Sequence, residues 1–161
     1  MPFSTFCHSP AAVGSAARAV AWDLYCGIGP ISLLLARQGY RVLGIEENPK
    51  AVRDAVENAK RNRLTNASFV SGRVENILPM LPTWAIAPSL IIANPARTGI
   101  ASAARQTING LACRILYLSC NIETLVRDLG DLTASGRRVR HVTAFDMFAQ
   151  TDNLEWLIYL D

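Results

Sequence analysis

Among its 16 basic residues the chain has only two lysines, Lys50 and Lys60, and in 161 residues it has only two histidines and four cysteines. The cysteines (Cys7, Cys26, Cys113, Cys120) show no C-x-x-C spacing, so neither a zinc site nor an iron–sulfur centre is supported, and reduced thiols are expected. His8 and His141 have no partner in sequence that would make either one a metal ligand or a catalytic base. No apolar run approaches the ~20 residues that span a bilayer, and residues 1–21 lack the charged start and apolar block of a secretory signal. A cytoplasmic protein that makes no use of membrane or metal is expected. There are no repeats, linkers or low-complexity tracts, which leaves a single domain over residues 1–161 with 1–18 as a short N-terminal segment.

With lysine scarce, the net charge of +3 is carried by arginine, the side chain best shaped for phosphate. Two clusters, Lys60-Arg61-Arg63 and Arg137-Arg138-Arg140, are candidate contacts for an RNA backbone or plain solvated surface.

Half of the residues are apolar, enough for one sizeable core. Short apolar runs alternate with helical patterns from residue 19 onward, the signature of βαβ units around a largely parallel sheet. Strands are predicted over residues 20–25, 41–45, 67–70, 89–93, 115–119, 139–144 and 154–160. Helices are predicted from Pro30, from Pro49 behind an Asn48 cap, over 101–109 and over 122–134. The first should bury Ile31, Leu34 and Leu35. The fold class is therefore α/β, Rossmann-like, with seven strands and helices on both faces.

The first strand runs into Asp23-Leu24-Tyr25-Cys26-Gly27-Ile28-Gly29. Two glycines let the backbone turn sharply and let a ligand approach the main chain. A dinucleotide fingerprint would want a third glycine where Ser32 stands; an Asp four residues before Gly27 is instead the pattern of S-adenosylmethionine-dependent methyltransferases. Glu46, ending the second strand, is placed to accept hydrogen bonds from both ribose hydroxyls. Asp23, Tyr25, Gly27, Gly29, Glu46 and Asn94 are the candidate cofactor residues.

At the end of the fourth strand stands Asn94-Pro95-Ala96-Arg97, without the Pro and aromatic that amine methyltransferases place after Asn-Pro. At the end of the fifth stands Ser119-Cys120-Asn121, a cysteine where an open α/β sheet presents its ligands. Read singly, Cys120 could be a packed thiol, Glu155 an exposed strand carboxylate, and Arg97 a loop pin.

Taken together, these residues resemble the RNA uracil-C5-methyltransferases that modify ribosomal and transfer RNA. The resemblance rests on residues 23–29, Gly44-Ile45-Glu46, residues 94–99, Ser119-Cys120-Asn121 with Thr124, and Asp146-Met147-Phe148 followed by Thr151 and Glu155. Asn94 and the non-proline Ile122 look most like the branch acting on 23S ribosomal RNA without a TRAM domain. The resemblance implies S-adenosylmethionine as cofactor, Cys120 as nucleophile toward C6 of uracil, Glu155 as base, and Arg97 and Asn121 as substrate contacts. It also shows departures. Cys7 and Ser9 stand at the family's Gln and Asn positions, Pro30 where some relatives have Asn, Ala149 where Pro is usual, and Asn153 where the family has His. The alternative is thus an impaired cofactor-binding remnant, or a subunit relying on an RNA-binding partner protein.

Overall fold

The computed structural model describes residues 19–146 and 154–161. The expected N-terminal segment 1–18, with Cys7 and Ser9, lies outside the described residues, as do Met147, Phe148, Ala149, Thr151 and Asn153.

Seven strands form one sheet in the order β3-β2-β1-β4-β5-β7-β6. β1 (Val20–Leu24), β2 (Arg41–Glu46), β3 (Ala67–Ser71), β4 (Leu90–Ala93) and β5 (Arg114–Ser119) run parallel, while β7 (Glu155–Leu160) lies antiparallel between β5 and β6 (Val139–Phe145). Each predicted strand is found within a residue or so. The central strands are covered on both faces, so they read as unbroken apolar runs. Side chains alternate between two cores: Trp22, Leu24, Leu43, Ile45 and Ile91 share one face, and Ala21, Val42, Leu90, Ile92 and Leu116 the other.

α1 (Pro30–Arg37) opens on a proline, whose fixed φ suits a first turn and whose missing N–H is not needed there. Its buried residues are Ser32, Leu35 and Ala36, whereas Leu34 is exposed, which corrects the expected face. The helix is rolled inward at Ser32 because that hydroxyl is bonded to Asp23 beneath it. α2 (Pro49–Arg61) is capped by Asn48, whose side chain accepts from the Lys50 N–H, and it buries Ala55 and Ala59. A one-turn helix, α3 (Val74–Ile77), and two 3₁₀ turns fill residues 74–85, a stretch too short and proline-broken to show a period. α4 (Ser102–Asn109) and α5 (Ile122–Thr133) flank β5 in sequence. No helix among the described residues is long and apolar enough to cross a membrane.

The strand order reverses between β1 and β4, and all five parallel strands end at the same sheet edge. Ligands of open α/β sheets bind at such a switch point, outside the carboxyl ends.

Candidate active site

β1 delivers Asp23 to that edge, and the chain then turns through left-handed conformations at Tyr25 (φ 63°), Gly27 (φ 54°) and Gly29 (φ 83°). A Cβ on Gly29 would sit 3.0 Å from the Phe69 ring and 3.2 Å from Ala55, so this glycine lets the loop lie against β3 and α2. A Cβ on Gly27 would meet nothing within 4 Å, which leaves its backbone open on that side. Four bonds hold the loop. Cys26 N–H donates to the Ile45 carbonyl (3.1 Å), Gly29 N–H to Cys26 (2.9 Å), Asn58 Nδ2 to the Ile28 carbonyl (3.1 Å), and Gly27 N–H to Glu46 Oε2 (3.1 Å). Glu46 Oε1 also accepts from Asn48 N–H at 2.8 Å. The half-buried Glu46 carboxylate therefore braces the loop and α2 together, with lone pairs to spare on both oxygens.

Asp23 is 1% exposed. Its Oδ2 accepts from Ser32 Oγ at 2.6 Å, while its Oδ1 is buried with no partner among the described residues. Desolvation pushes this carboxyl from 3.8 up to about 6, against the Ser32 hydrogen bonds that pull it down. Asp23 is first a brace of the loop against α1, with one acceptor left over. Tyr25 packs against the core on one face of the sheet, and its hydroxyl accepts from Ala101 N–H at 3.4 Å, linking this loop to the one after β4. It lines a cleft of about 280 Å³ with Glu47, Gly72, Arg73, Ala96 and Gly99, one side of which is closed by the Arg73–Glu47 ion pair (3.4 Å). Asn94 is exposed at the end of β4, its N–H donating to the Leu24 carbonyl (3.3 Å).

Cys120 leaves β5 half-buried and lines a second cavity of about 550 Å³ with Arg97, Asn121, Ile122, Leu154 and Trp156. The Ser119–Trp156 pair is the last recorded between β5 and β7. Glu155, half-buried, opens β7 between Leu154 and Trp156 and pairs with Phe145 of β6, but it is not among the residues that line this cavity. Asn121, expected as a substrate contact, caps α5: its Oδ1 accepts from the N–H groups of Glu123 (2.9 Å) and Thr124 (3.4 Å). Only its amide N–H groups remain to face the cavity.

Behind both cavities lies a charged cluster that sequence reasoning missed. Asp128 is fully buried on α5. Its Oδ2 accepts from Ile100 N–H (2.7 Å) and the Tyr117 hydroxyl (2.6 Å), and its Oδ1 from Arg105 Nη1 (2.8 Å) and Arg127 Nη2 (2.6 Å). Arg105 also donates to the Ile100 carbonyl and to Asp131 (2.7 Å), and Arg127 to the Thr98 carbonyl (2.8 Å). Burial and the bond to Asp128 raise the Tyr117 hydroxyl well above the ordinary tyrosine range. The signal was present in the sequence: Asp128 stands between Leu125 and Leu132 on the buried stripe of α5, a place where a charge needs partners.

A family model of the tRNA (uracil-5-)-methyltransferases matches residues 12–161. The chain belongs to this family. It is 43% identical over 139 residues to an uncharacterized RNA methyltransferase of Protochlamydia amoebophila, covering 86% of this chain and 32% of that protein. To one of Clostridium acetobutylicum it is 36% identical over 148 residues, covering 91% and 32%. It thus spans about a third of the length of these relatives. Among solved structures it superposes on the Pyrococcus abyssi tRNA (uracil-54, C5)-methyltransferase in complex with S-adenosyl-L-homocysteine, with a TM-score of 0.76 and 26% identity, covering 91% of this chain and 35% of that one. A precorrin-6y C5,15-methyltransferase of Geobacter metallireducens (TM-score 0.71, 18% identity, coverage 89% and 80%) shares the fold. The Rossmann-like methyltransferase fold expected from the sequence is the one this family member has.

The two basic clusters fare differently. Lys60, Arg61 and Arg63 are exposed at the end of α2, Arg61 pairing with Glu57 (3.1 Å). The half-buried Arg137 donates to the Leu111 carbonyl (2.7 Å) and is drawn into the fold, whereas the exposed Arg140 pairs with Asp161 (2.5 Å) at the surface. A hollow of about 680 Å³ around residues 109–114 and 135–137 lies at the opposite end of the strands; Arg137 lines it, but none of the expected catalytic or cofactor residues does.

Proposed function

We propose that the chain is the cofactor-binding and catalytic part of an enzyme that methylates C5 of a uracil in RNA. The observation that supports this reading is the cavity at the carboxyl edge of the sheet that Cys120 shares with Arg97, Asn121 and Trp156, to which the Ser119–Trp156 pair brings the start of β7 and with it Glu155. The loop fits S-adenosylmethionine: Gly27 is open on its Cβ side, Glu46 has acceptor capacity for two ribose hydroxyls, and Asp23 keeps an unpartnered buried oxygen. Gly27, Gly29, Glu46 and Asn94 would hold it, with Tyr25 and Asp23 bracing the loop from behind. When bound, it supplies an electrophilic sulfonium methyl.

C5 of uracil is too weak a carbon nucleophile to take that methyl unaided. The Cys120 thiolate adds to C6, forming an S–C6 bond and moving the C5–C6 π electrons toward the C4 carbonyl as an enolate, which makes C5 nucleophilic. After C5 has gained its methyl, Glu155 removes the C5 proton, the double bond re-forms, and the S–C6 bond breaks to release the thiolate. Arg97, on the cavity wall, suits the phosphate or carbonyl oxygens of a flipped nucleotide. Asn94 and Ile122 favour 23S ribosomal RNA as substrate. A separate RNA-binding protein is the partner this reading allows.

RNA carrying 5-fluorouridine tests the reading, because fluorine at C5 cannot leave as the proton does and the adduct stalls. Chain, S-adenosylmethionine and fluorinated 23S fragments, with fluorinated tRNA alongside, should yield a covalent complex whose cross-linked peptide contains Cys120. No adduct with either RNA sinks the enzyme reading. An adduct with tRNA alone moves the substrate.

A further inference from the structure

Asp128 takes no part in these steps, yet it is the most heavily bonded side chain near the site. Stability is weak ground for such a cluster, since desolving its charges offsets most of their attraction. What the cluster has is direction. Asp128 takes the Ile100 N–H, its partner Arg105 donates to the Ile100 carbonyl, and its partner Arg127 donates to the Thr98 carbonyl. One turn earlier on the same helix, Thr124 Oγ1 donates to the Arg97 carbonyl at 3.0 Å. The main chain at residues 97, 98 and 100 is thereby bonded to α4 and α5, and α5 begins two residues after Cys120. Gly99 completes the fit: at φ 75° it leaves so little room that a Cβ would lie 2.5 Å from Asp128 Oδ2. Tyr117 ties the same carboxylate to β5, the strand that ends just before Cys120.

We infer that Asp128 is a positioning residue for the methyl-transfer reaction: it fixes the 97–100 stretch, and with it Arg97, against the helix and strand that present Cys120. The inference rests on the reading of Cys120 as the nucleophile. A cavity wall built from two separate loops closes on a substrate only if the loops keep their spacing, and misplacement by about 1 Å can cost about a hundredfold in rate.

Asp128→Asn is the informative change. Whichever way the amide lies, its NH₂ meets donors, either Ile100 N–H and the Tyr117 hydroxyl or two guanidinium groups. Methyl transfer to RNA and adduct formation with fluorinated RNA are measured for wild type, D128N, Arg97→Ala and the double variant, together with cofactor affinity and melting temperature. Expected are a kcat at least tenfold lower in D128N, cofactor affinity within threefold of wild type, and an R97A effect that is much smaller in the D128N background. A merely structural role would give effects that multiply. Tyr117→Phe, which removes one hydrogen bond and keeps the ion pairs, should lower kcat several-fold in the same pattern, and it carries the test if D128N does not fold. An active wild type with an unimpaired D128N, or with multiplicative effects, overturns the positioning role alone. A wild type that neither methylates nor forms an adduct overturns the reaction reading, and this inference with it.

Discussion

Ser32 Oγ lies 2.6 Å from Asp23 Oδ2, a hydrogen bond between the first turn of α1 and the last residues of β1. It binds only one of the two carboxylate oxygens, and the other is buried with no partner among the described residues. Burial therefore dominates, and the carboxyl is raised to about 6 from 3.8. Below 3.8 Asp23 is protonated in folded and unfolded chains alike and costs nothing. Between 3.8 and about 6 the folded chain holds the extra proton, so stability falls as pH rises through this window, by about 3 kcal/mol in all. Thermal melts of wild type and Asp23→Asn from pH 4 to 7.5 should diverge, the wild type losing ground to the variant as pH rises. Parallel curves would falsify the unpaired burial of Asp23.

Glu46 holds two backbone N–H groups, and in the proposed complex it would hold the ribose as well. Hydrogen bonds to a charged group contribute about 1.5–3 kcal/mol each, so Glu46→Ala should weaken S-adenosylhomocysteine binding by about a hundredfold, a loss of about 3 kcal/mol. Titration calorimetry measures this directly. An affinity within threefold of wild type would remove Glu46 from the cofactor site.

Loss of Cys120 and loss of Glu155 should differ in kind. Cys120→Ala gives neither adduct nor product. Glu155→Gln leaves addition to C6 intact but blocks proton removal, so turnover should fall about 10²- to 10⁴-fold while a methylated covalent complex builds up on unmodified RNA. Mass spectrometry of the trapped RNA distinguishes the two. A Glu155→Gln enzyme that turns over normally would assign the proton transfer elsewhere.

Two glycines with left-handed φ should respond unequally to alanine. Gly27→Ala has open space and should cost about 1 kcal/mol, the ordinary penalty of that conformation. Gly99→Ala adds a Cβ 2.5 Å from Asp128 Oδ2 and 2.6 Å from Arg127 Nη2, and should cost about 3 kcal/mol. Denaturant midpoints at constant slope rank them. Equal costs would mean that the Asp128 cluster yields easily.

Much of this fold is legible along the chain. Ala-Trp-Asp-Leu and Leu-Ile-Ile-Ala are central strands covered on both faces, and their bounds follow from where the apolar runs stop. Pro30 and Asn48 mark helix starts because capping and first-turn chemistry act over two or three residues. The glycine loop, Glu46 and Cys120 are legible for the same reason: each closes a strand whose end the pattern already marks. The α3 turn has no such pattern, being shorter than one period of the signal that would reveal it.

What the sequence determined by itself is therefore local: strands, caps, turns, and which residues leave the sheet at its carboxyl edge. Tertiary structure alone decided which long-range partners meet. Leu34 is turned outward because Ser32 is drawn to Asp23, and Arg137 is spent on the carbonyl of Leu111. Asp128 reaches Ile100 across 28 positions of chain. A buried polar group must find a partner once water is excluded, and only the packed arrangement of the whole chain dictates which one stands nearest.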